Sequence, residues 1–372
     1  MPWFSEHYGN AGSVSHLFGW QARDAVDESR KSIAAAIGAR PREIIFTGGA
    51  TESNNLAIRG VAERRRRKGN HLVSVSTEHP AVLDPLARLA RGEYEVTRLI
   101  PAQQSADDAG RLDPARVADA IRDDTVLVSI MLANNEIGVI QPIAEIGSLC
   151  RQRGIPLHTD ATQAVGKIPV DVDQLQVDLL SFTAHKIHGP KGVGALYVRR
   201  GASGVRISPL IEGGGQESGL RSGTLNVPGI VGFAKSLQLC LDNMDEQSAG
   251  LAVLRLQLYT GLSARITDCQ LNGPILDQPD LRLAGNLNVR IEGVDGEALM
   301  MSMPDLAVSS GSACTSANPE PSHVLRAIGL SDDQTRSSLR FGLGRFNTAE
   351  EVEFAIGLVA EAVQRLRRLG AS

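Results

Sequence analysis

The chain reads as an α/β protein, with a mostly parallel central sheet followed by a smaller α+β domain. Three observations predict this class. Short β-branched runs alternate with amphipathic stretches over the first two-thirds of the 372 residues, the pattern of a parallel sheet covered on both faces. The polar, glycine-bearing segments fall directly after those runs. A Gly-rich stretch at 213–223 then closes the alternation, and helical patterns with scattered strand-like segments follow.

The strand-like runs are 43–47, 71–77, 93–100, 125–132, 156–160, 179–183 and 194–198, and helical patterns lie at 51–67, 80–91, 114–121 and 143–153. The run RRRRK at 64–68 ends the first of those helices, where positive charge complements the helix dipole. It reads as a solvated helix end. Right-handed crossovers line up the carboxyl ends of parallel strands along one edge. TGGAT, TEHP, NNEIG, DATQ and HKIHGPKG each follow a strand, so these clusters are expected to converge on one site. Beyond the Gly-rich stretch come helical patterns at 231–244 and 251–266, a Ser/Gly-rich loop around Cys314, and an amphipathic final helix at 349–369. The expected division is a large domain at 12–241, with 1–11 and 242–372 forming a small domain that carries Cys314 and Arg340.

Hydrophobic residues at 42%, charged residues at 22% and a formal net charge of −4 are ordinary for a soluble protein and give no reason to expect nucleic acid as a partner. The start MPWFSEHYGNAG has no basic leader followed by an apolar run. No apolar segment approaches the roughly 20 residues that span a bilayer. Cys150, Cys240, Cys269 and Cys314 are scattered and form no CxxC pair. That argues against a disulfide framework or structural zinc and for a reducing cytoplasm.

Several residues carry candidate chemistry. Lys186 begins a Gly/Pro loop after an apolar strand, where a Schiff base with an aldehyde cofactor is one reading and an exposed loop lysine the other; Lys191 is read as the latter. Asp160 ends the strand IPLHTD. It either caps the next turn or sets an anion against a cofactor's pyridine nitrogen, the role a pyridoxal-phosphate enzyme needs. Gln163, on the same turn, could donate to the ring oxygen. The glycine turn and helix start at TGGATES make a phosphate seat. His79 is either a structural strand-end histidine or a group stacked on the ring. Cys314 has only small neighbours in SSGSACTSANP and reads as reactive, whereas Cys240 in LQLCL reads as core. Arg340 is either a surface arginine or a bidentate carboxylate clamp.

The blocks TGGATESNNLAIRG, TEHPAVLD, ANNEIGVIQP, DATQAVGKIPVD, SFTAHKIHGPKGVGALYVRR, ESGLRSGTLNVPGIVG, SSGSACTSANPEPSHVLRAIG and LRFGLGRFNT resemble the cysteine desulfurases of the NifS/IscS-like group, which share the class V aminotransferase fold. The resemblance runs along nearly the whole chain in the family's order. It implies the pyridoxal-phosphate-dependent transferase fold type I, pyridoxal 5'-phosphate as cofactor, no metal, and conversion of L-cysteine to L-alanine with sulfur passed to Cys314 as a persulfide.

Residue by residue, it implies that Lys186 binds the cofactor covalently, Asp160 pairs with the pyridinium and His79 lies over the ring. Gln163 and Asn135 meet the ring oxygen, Asn135 also lying near the substrate carboxylate. Ala50, Thr51, Thr183 and His185 hold the phosphate, with Thr224 reaching it from the other subunit of a homodimer, and Arg340 binds the cysteine carboxylate. The sulfur would pass to an acceptor or iron–sulfur scaffold protein. Thr183 stands where the family usually has Ser. The chain starts after the strand and turn with which members usually begin, and stops without the longer tail of some relatives. A selenocysteine lyase or transaminase on the same scaffold, or a non-catalytic sulfur-relay or scaffold protein, is the alternative.

Overall fold

The computed structural model describes residues 2–201, 204–310 and 321–370. They form two compact units: residues 1–99, 114–133 and 141–244 in the first, and 100–113, 134–140 and 245–372 in the second.

The first unit is built on a seven-stranded sheet: β1 (Ile44–Thr47), β2 (His71–Val75), β3 (Glu95–Leu99), β4 (Thr125–Ser129), β5 (Leu157–Asp160), β6 (Leu179–Thr183) and β7 (Gly194–Val198), in the order β1-β7-β6-β5-β4-β2-β3. Every run expected to be a strand is one, shortened by up to a few residues. Pairing is parallel throughout β3-β2-β4-β5-β6, while β7 runs antiparallel to both of its neighbours. The sheet is therefore mostly parallel.

β1, β2, β4, β5, β6 and β7 are buried along their whole length, as strands covered on both faces must be. Helices Ala50–Arg65 and Pro80–Ala90 pack their apolar side chains, among them Leu56, Val61, Val82 and Leu86, into one core with Ile45, Leu72, Leu127, Leu179 and Leu196. A helix at Leu17–Ala35, absent from the sequence expectation, buries only Ala22, Val26, Ile33 and Ala34 as apolar side chains in a charged stretch. The helix expected at 231–244 spans Val227–Leu241. The Asn226 side chain caps it by accepting from Gly229 N–H, and Pro228 occupies its first turn, a position proline tolerates.

The second unit has a four-stranded antiparallel sheet, β10 (Ser309–Ser310), β11 (Ser338–Gly342), β9 (Asn286–Ile291) and β8 (Cys269–Leu271) in spatial order. Helices Met244–Arg265 and Ala349–Gly370 bury Leu258, Leu262, Ile356, Val359 and Val363 against Leu287, Val289 and Leu339. The segment 134–140 is bound into this unit by its backbone: Ile140 N–H donates to Leu281 O (2.9 Å) and Leu283 N–H to Gly138 O (2.9 Å). Among the described residues no helix is long and apolar enough to cross a membrane.

Candidate active site

Four of the clusters read as convergent lie at the strand ends of the first unit. β1 ends at Thr47 and the chain turns through Gly48 and Gly49 into helix Ala50–Arg65. Gly49, the N-cap, has φ +151° and makes no side-chain capping bond. Only glycine takes that backbone conformation without strain, and the helix's first amides are left to a ligand. Because β7 is antiparallel, its first residue, Gly194, comes to the same edge. A Cβ on Gly194 would lie 2.7 Å from Gly49 Cα, so the close approach requires glycine.

Ala50 and Thr51 open the helix. Thr183, at the end of β6, lies next to the turn: a Cβ on Gly49 would sit 3.8 Å from its Oγ1. That hydroxyl donates to Val193 O (3.0 Å) and contacts His185 Nδ1 (3.1 Å). Glu52 accepts from Gly48 N–H (2.7 Å) and pairs with Arg221 (2.8 Å). Arg221 thus brings a cation beside the helix start. The cradle fits a phosphate: bare glycines, uncapped amides, a hydroxyl and a histidine. Thr224 is exposed, following Gly223 at the end of the Gly-rich stretch.

Asp160, at the end of β5, is 6% exposed. Its Oδ2 accepts from Asn54 Nδ2 (2.7 Å) and its Oδ1 from Thr162 N–H (2.9 Å). Two buried ionisable groups stand near it. Glu78 accepts from Met131 N–H (2.6 Å); burial, with the nearby Asp160 charge adding to it, raises its pKa well above the ordinary carboxyl range. His158, two residues back on β5, lies between Ser129 Oγ (2.8 Å) and Ser181 Oγ (3.0 Å). Burial lowers its pKa to about 4 against the opposing pull of Asp160. Burial thus disfavours the charged forms of both neighbours, while the Asp160 carboxylate oxygens are held by Asn54 and the Thr162 amide at the strand end. His79 is exposed and caps helix Pro80–Ala90, its Nδ1 accepting from Ala81 N–H (3.0 Å), so in the neutral ring the proton is on Nε2.

Lys186 lies in the turn Ala184–Ile187 directly after β6 and is exposed. β6 pairs with β5 through Ser181 and Asp160, so the lysine and the carboxylate leave from neighbouring strand ends. Gln163 Oε1 accepts from Lys167 Nζ at 2.7 Å. Asn54, Glu78, His158, Lys167 and Arg221 were not singled out from the sequence. Their partners are set by strand pairing and helix packing, except that Gln163 and Lys167 lie four residues apart in the DATQAVGK turn.

The second unit holds Asn135 and Arg340. Arg340, on β11, donates from Nη1 to Asn135 O (3.0 Å) and from Nη2 to Ser309 Oγ (3.0 Å). Both acceptors are neutral, so the guanidinium charge remains for an anion. Cys314 lies outside the described residues. Of the other cysteines, Cys150 and Cys240 are buried and Cys269 half-buried; burial pushes the thiols of Cys150 and Cys269 up to about 12 and about 11, which keeps them unreactive.

The seven-stranded sheet with its single antiparallel strand, and a lysine, a buried aspartate and a phosphate cradle along one edge, define a pyridoxal-phosphate enzyme of fold type I. Residues 1–354 match the model of the aminotransferase class-V family. The cysteine desulfurase IscS of Anaeromyxobacter dehalogenans (strain 2CP-C) is 53% identical over 369 residues, 99% of this chain and 89% of that protein. A solved "NifS-like protein" superposes with a TM-score of 0.88 at 34% identity, covering 98% of this chain and 94% of that one. A structure described as "SspA in complex with cysteine" gives 0.74 at 35% identity, with 93% and 94% covered. The chain belongs to the class-V aminotransferase family, in its cysteine desulfurase branch.

Proposed function

We propose that the chain is a pyridoxal-phosphate-dependent cysteine desulfurase, converting L-cysteine to L-alanine and holding the sulfur as a persulfide on Cys314. The bound cofactor supplies an electron-accepting ring that eases loss of the cysteine Cα proton. Lys186 would hold the cofactor and carry the proton moved at Cα. Asp160, held by Asn54 and the Thr162 amide, would keep the ring nitrogen protonated. His79 would pack against the ring, and Gln163 and Asn135 would serve its ring oxygen.

The phosphate is held by Ala50, Thr51, Thr183 and His185, and in a homodimer by the partner subunit's Thr224. Arg340 binds the substrate carboxylate, with Asn135 beside it. Cys314 thiolate attacks the substrate sulfur; the S–S bond forms as the Cβ–S bond breaks, and Cβ takes up a proton to give alanine. The persulfide then passes to an acceptor or iron–sulfur scaffold protein. The scattered cysteines, with no CxxC pair in the sequence, support a reducing cytoplasm.

The observation that carries this reading is the placement of Lys186 and Asp160 on adjoining strand ends, with the bare glycine turn at the same edge. The test is purified protein incubated with cysteine and a reductant, with alanine and sulfide assayed together. Equal amounts of both, with no keto acid added, are expected. Alanine that appears only when a keto acid is supplied would replace this reading with a transaminase.

A further inference from the structure

Lys167 has no part in the assignments above, yet it makes the contact that decides what Gln163 can do. A lysine ammonium has three donors and no acceptor. The Gln163 atom 2.7 Å from Lys167 Nζ must therefore be the carbonyl oxygen, which turns the amide NH2 the other way. The intervening turn is well pinned. Val165 N–H donates to Ala161 O (3.0 Å), and Lys167 and Ile168 N–H both donate to Ala164 O (2.9 and 3.0 Å). Gly166 takes φ +77°, and a Cβ there would lie 2.9 Å from Ile187 Cγ2 and 3.2 Å from Cys240 Cβ. The turn thus packs against the one that carries Lys186.

We propose that Lys167 is a positioning residue that locks the Gln163 amide, so that its NH2 rather than its carbonyl is presented to the cofactor's ring oxygen. The proposal rests on the reading of Gln163 as the donor to that oxygen. Without the lock the amide is free to flip, and the carbonyl would then face an oxygen that carries negative charge. The charged and titratable groups facing Lys167 are Lys186 on the 184–187 turn and the Cys240 thiol on helix Val227–Leu241. Burial, followed by repulsion from Lys186, brings the Lys167 pKa down to about 8, so the ammonium still predominates at neutral pH.

The test is a pH titration of the bound cofactor's visible absorbance band in the holoenzyme, which needs no turnover. An N–H donor stabilises negative charge on the ring oxygen, so losing it should raise the pH at which the band shifts. Gln163→Leu should raise that pH by about one unit, the size of a lost charge-assisted hydrogen bond. Lys167→Met should produce most of that rise, and the double variant no more than Gln163→Leu alone. Lys167→Arg, still a donor, should stay near the parent. Gln163→Glu, which keeps an acceptor for Lys167 but has no N–H and brings a carboxylate towards the ring oxygen, should shift at least as far as Gln163→Leu; a parent-like near-ultraviolet circular dichroism spectrum checks that Lys167→Met is folded.

If Gln163→Leu shifts the band and Lys167→Met does not, the positioning role is overturned while the reading of Gln163 stands. If Lys167→Met adds its full shift on top of Gln163→Leu, the lysine acts directly through its charge, and the proposal is again overturned. If Gln163→Leu leaves the titration unchanged, the reading of Gln163 fails and the proposal fails with it.

Discussion

The cofactor seat of the first unit and the Arg340 region of the second are built in different ways. Behind the seat, the buried polar groups are backed by others from distant parts of the chain. Asp160 is held by Asn54, His158 by two serines on flanking strands, and Glu78 by a backbone amide of residue 131. In the second unit, Arg340 on β11 makes its hydrogen bonds to the Asn135 backbone carbonyl and the Ser309 hydroxyl. Buried and paired groups hold one protonation state and one geometry, which suits a permanently bound ring. A half-exposed cation with neutral partners is free to take an anion and release it, which suits a substrate.

The most severe way to break the seat is at its lysine. Lys186→Ala should lose the covalently bound cofactor's absorbance and all desulfurase activity, while Lys191→Ala keeps both. If Lys191→Ala abolishes the band and Lys186→Ala remains reducible by borohydride, the seat has been assigned to the wrong lysine.

Next comes a variant that should stop turnover and leave the seat intact. Serine is barely ionised at neutral pH and a poor substitute for a thiolate. With Cys314→Ser, adding cysteine should still change the cofactor spectrum, but mass spectrometry should find no persulfide on the protein and alanine should not accumulate. Alanine release at the parent rate would remove Cys314 from the mechanism.

The buried wall behind Asp160 should also show in stability. The pKa of His158 falls from 6.5 unfolded to about 4 folded. The unfolded chain therefore binds a proton first as pH drops, and the stability this group contributes above pH 6.5 is lost progressively between 6.5 and 4. At 1.36 kcal/mol per unit this amounts to roughly 3 kcal/mol. Denaturant melts across that window should show a flatter pH slope for His158→Gln than for the parent; equal slopes would mean that the histidine is not held neutral.

The smallest effect belongs to the second unit. Arg340→Ala should raise KM for cysteine roughly tenfold to a hundredfold, corresponding to about 1.5–3 kcal/mol for a charge-assisted contact. The cofactor's own spectrum should not change. An unaltered KM would remove the carboxylate clamp and, with it, the contrast between the two regions.

Much of this was legible from residues alone. All seven strands of the large sheet announce themselves as β-branched runs, and Lys186, Asp160 and the TGGAT turn stand at or just after strand ends; each leaves a structural reading open by itself, and the chemistry expected of them comes from the family resemblance. The direction of β7 was not legible, because GALYV reads the same parallel or antiparallel; it is set by pairing with both β1 and β6. The helix Leu17–Ala35 escaped notice because its buried apolar face is narrow in a charged stretch.

Local sequence determined the periodicities, the glycines that permit Gly49 and Gly194 to touch, and the kinds of group available at each strand end, because propensity, backbone freedom and side-chain chemistry act over a few residues. Only the tertiary structure decided that Asn54, 106 residues from Asp160, is its hydrogen-bond donor, and that burial disfavours the charged forms of Glu78 and His158 beside it. Those properties depend on burial and on partners brought together by strand order, and burial is not a property of any single stretch of chain.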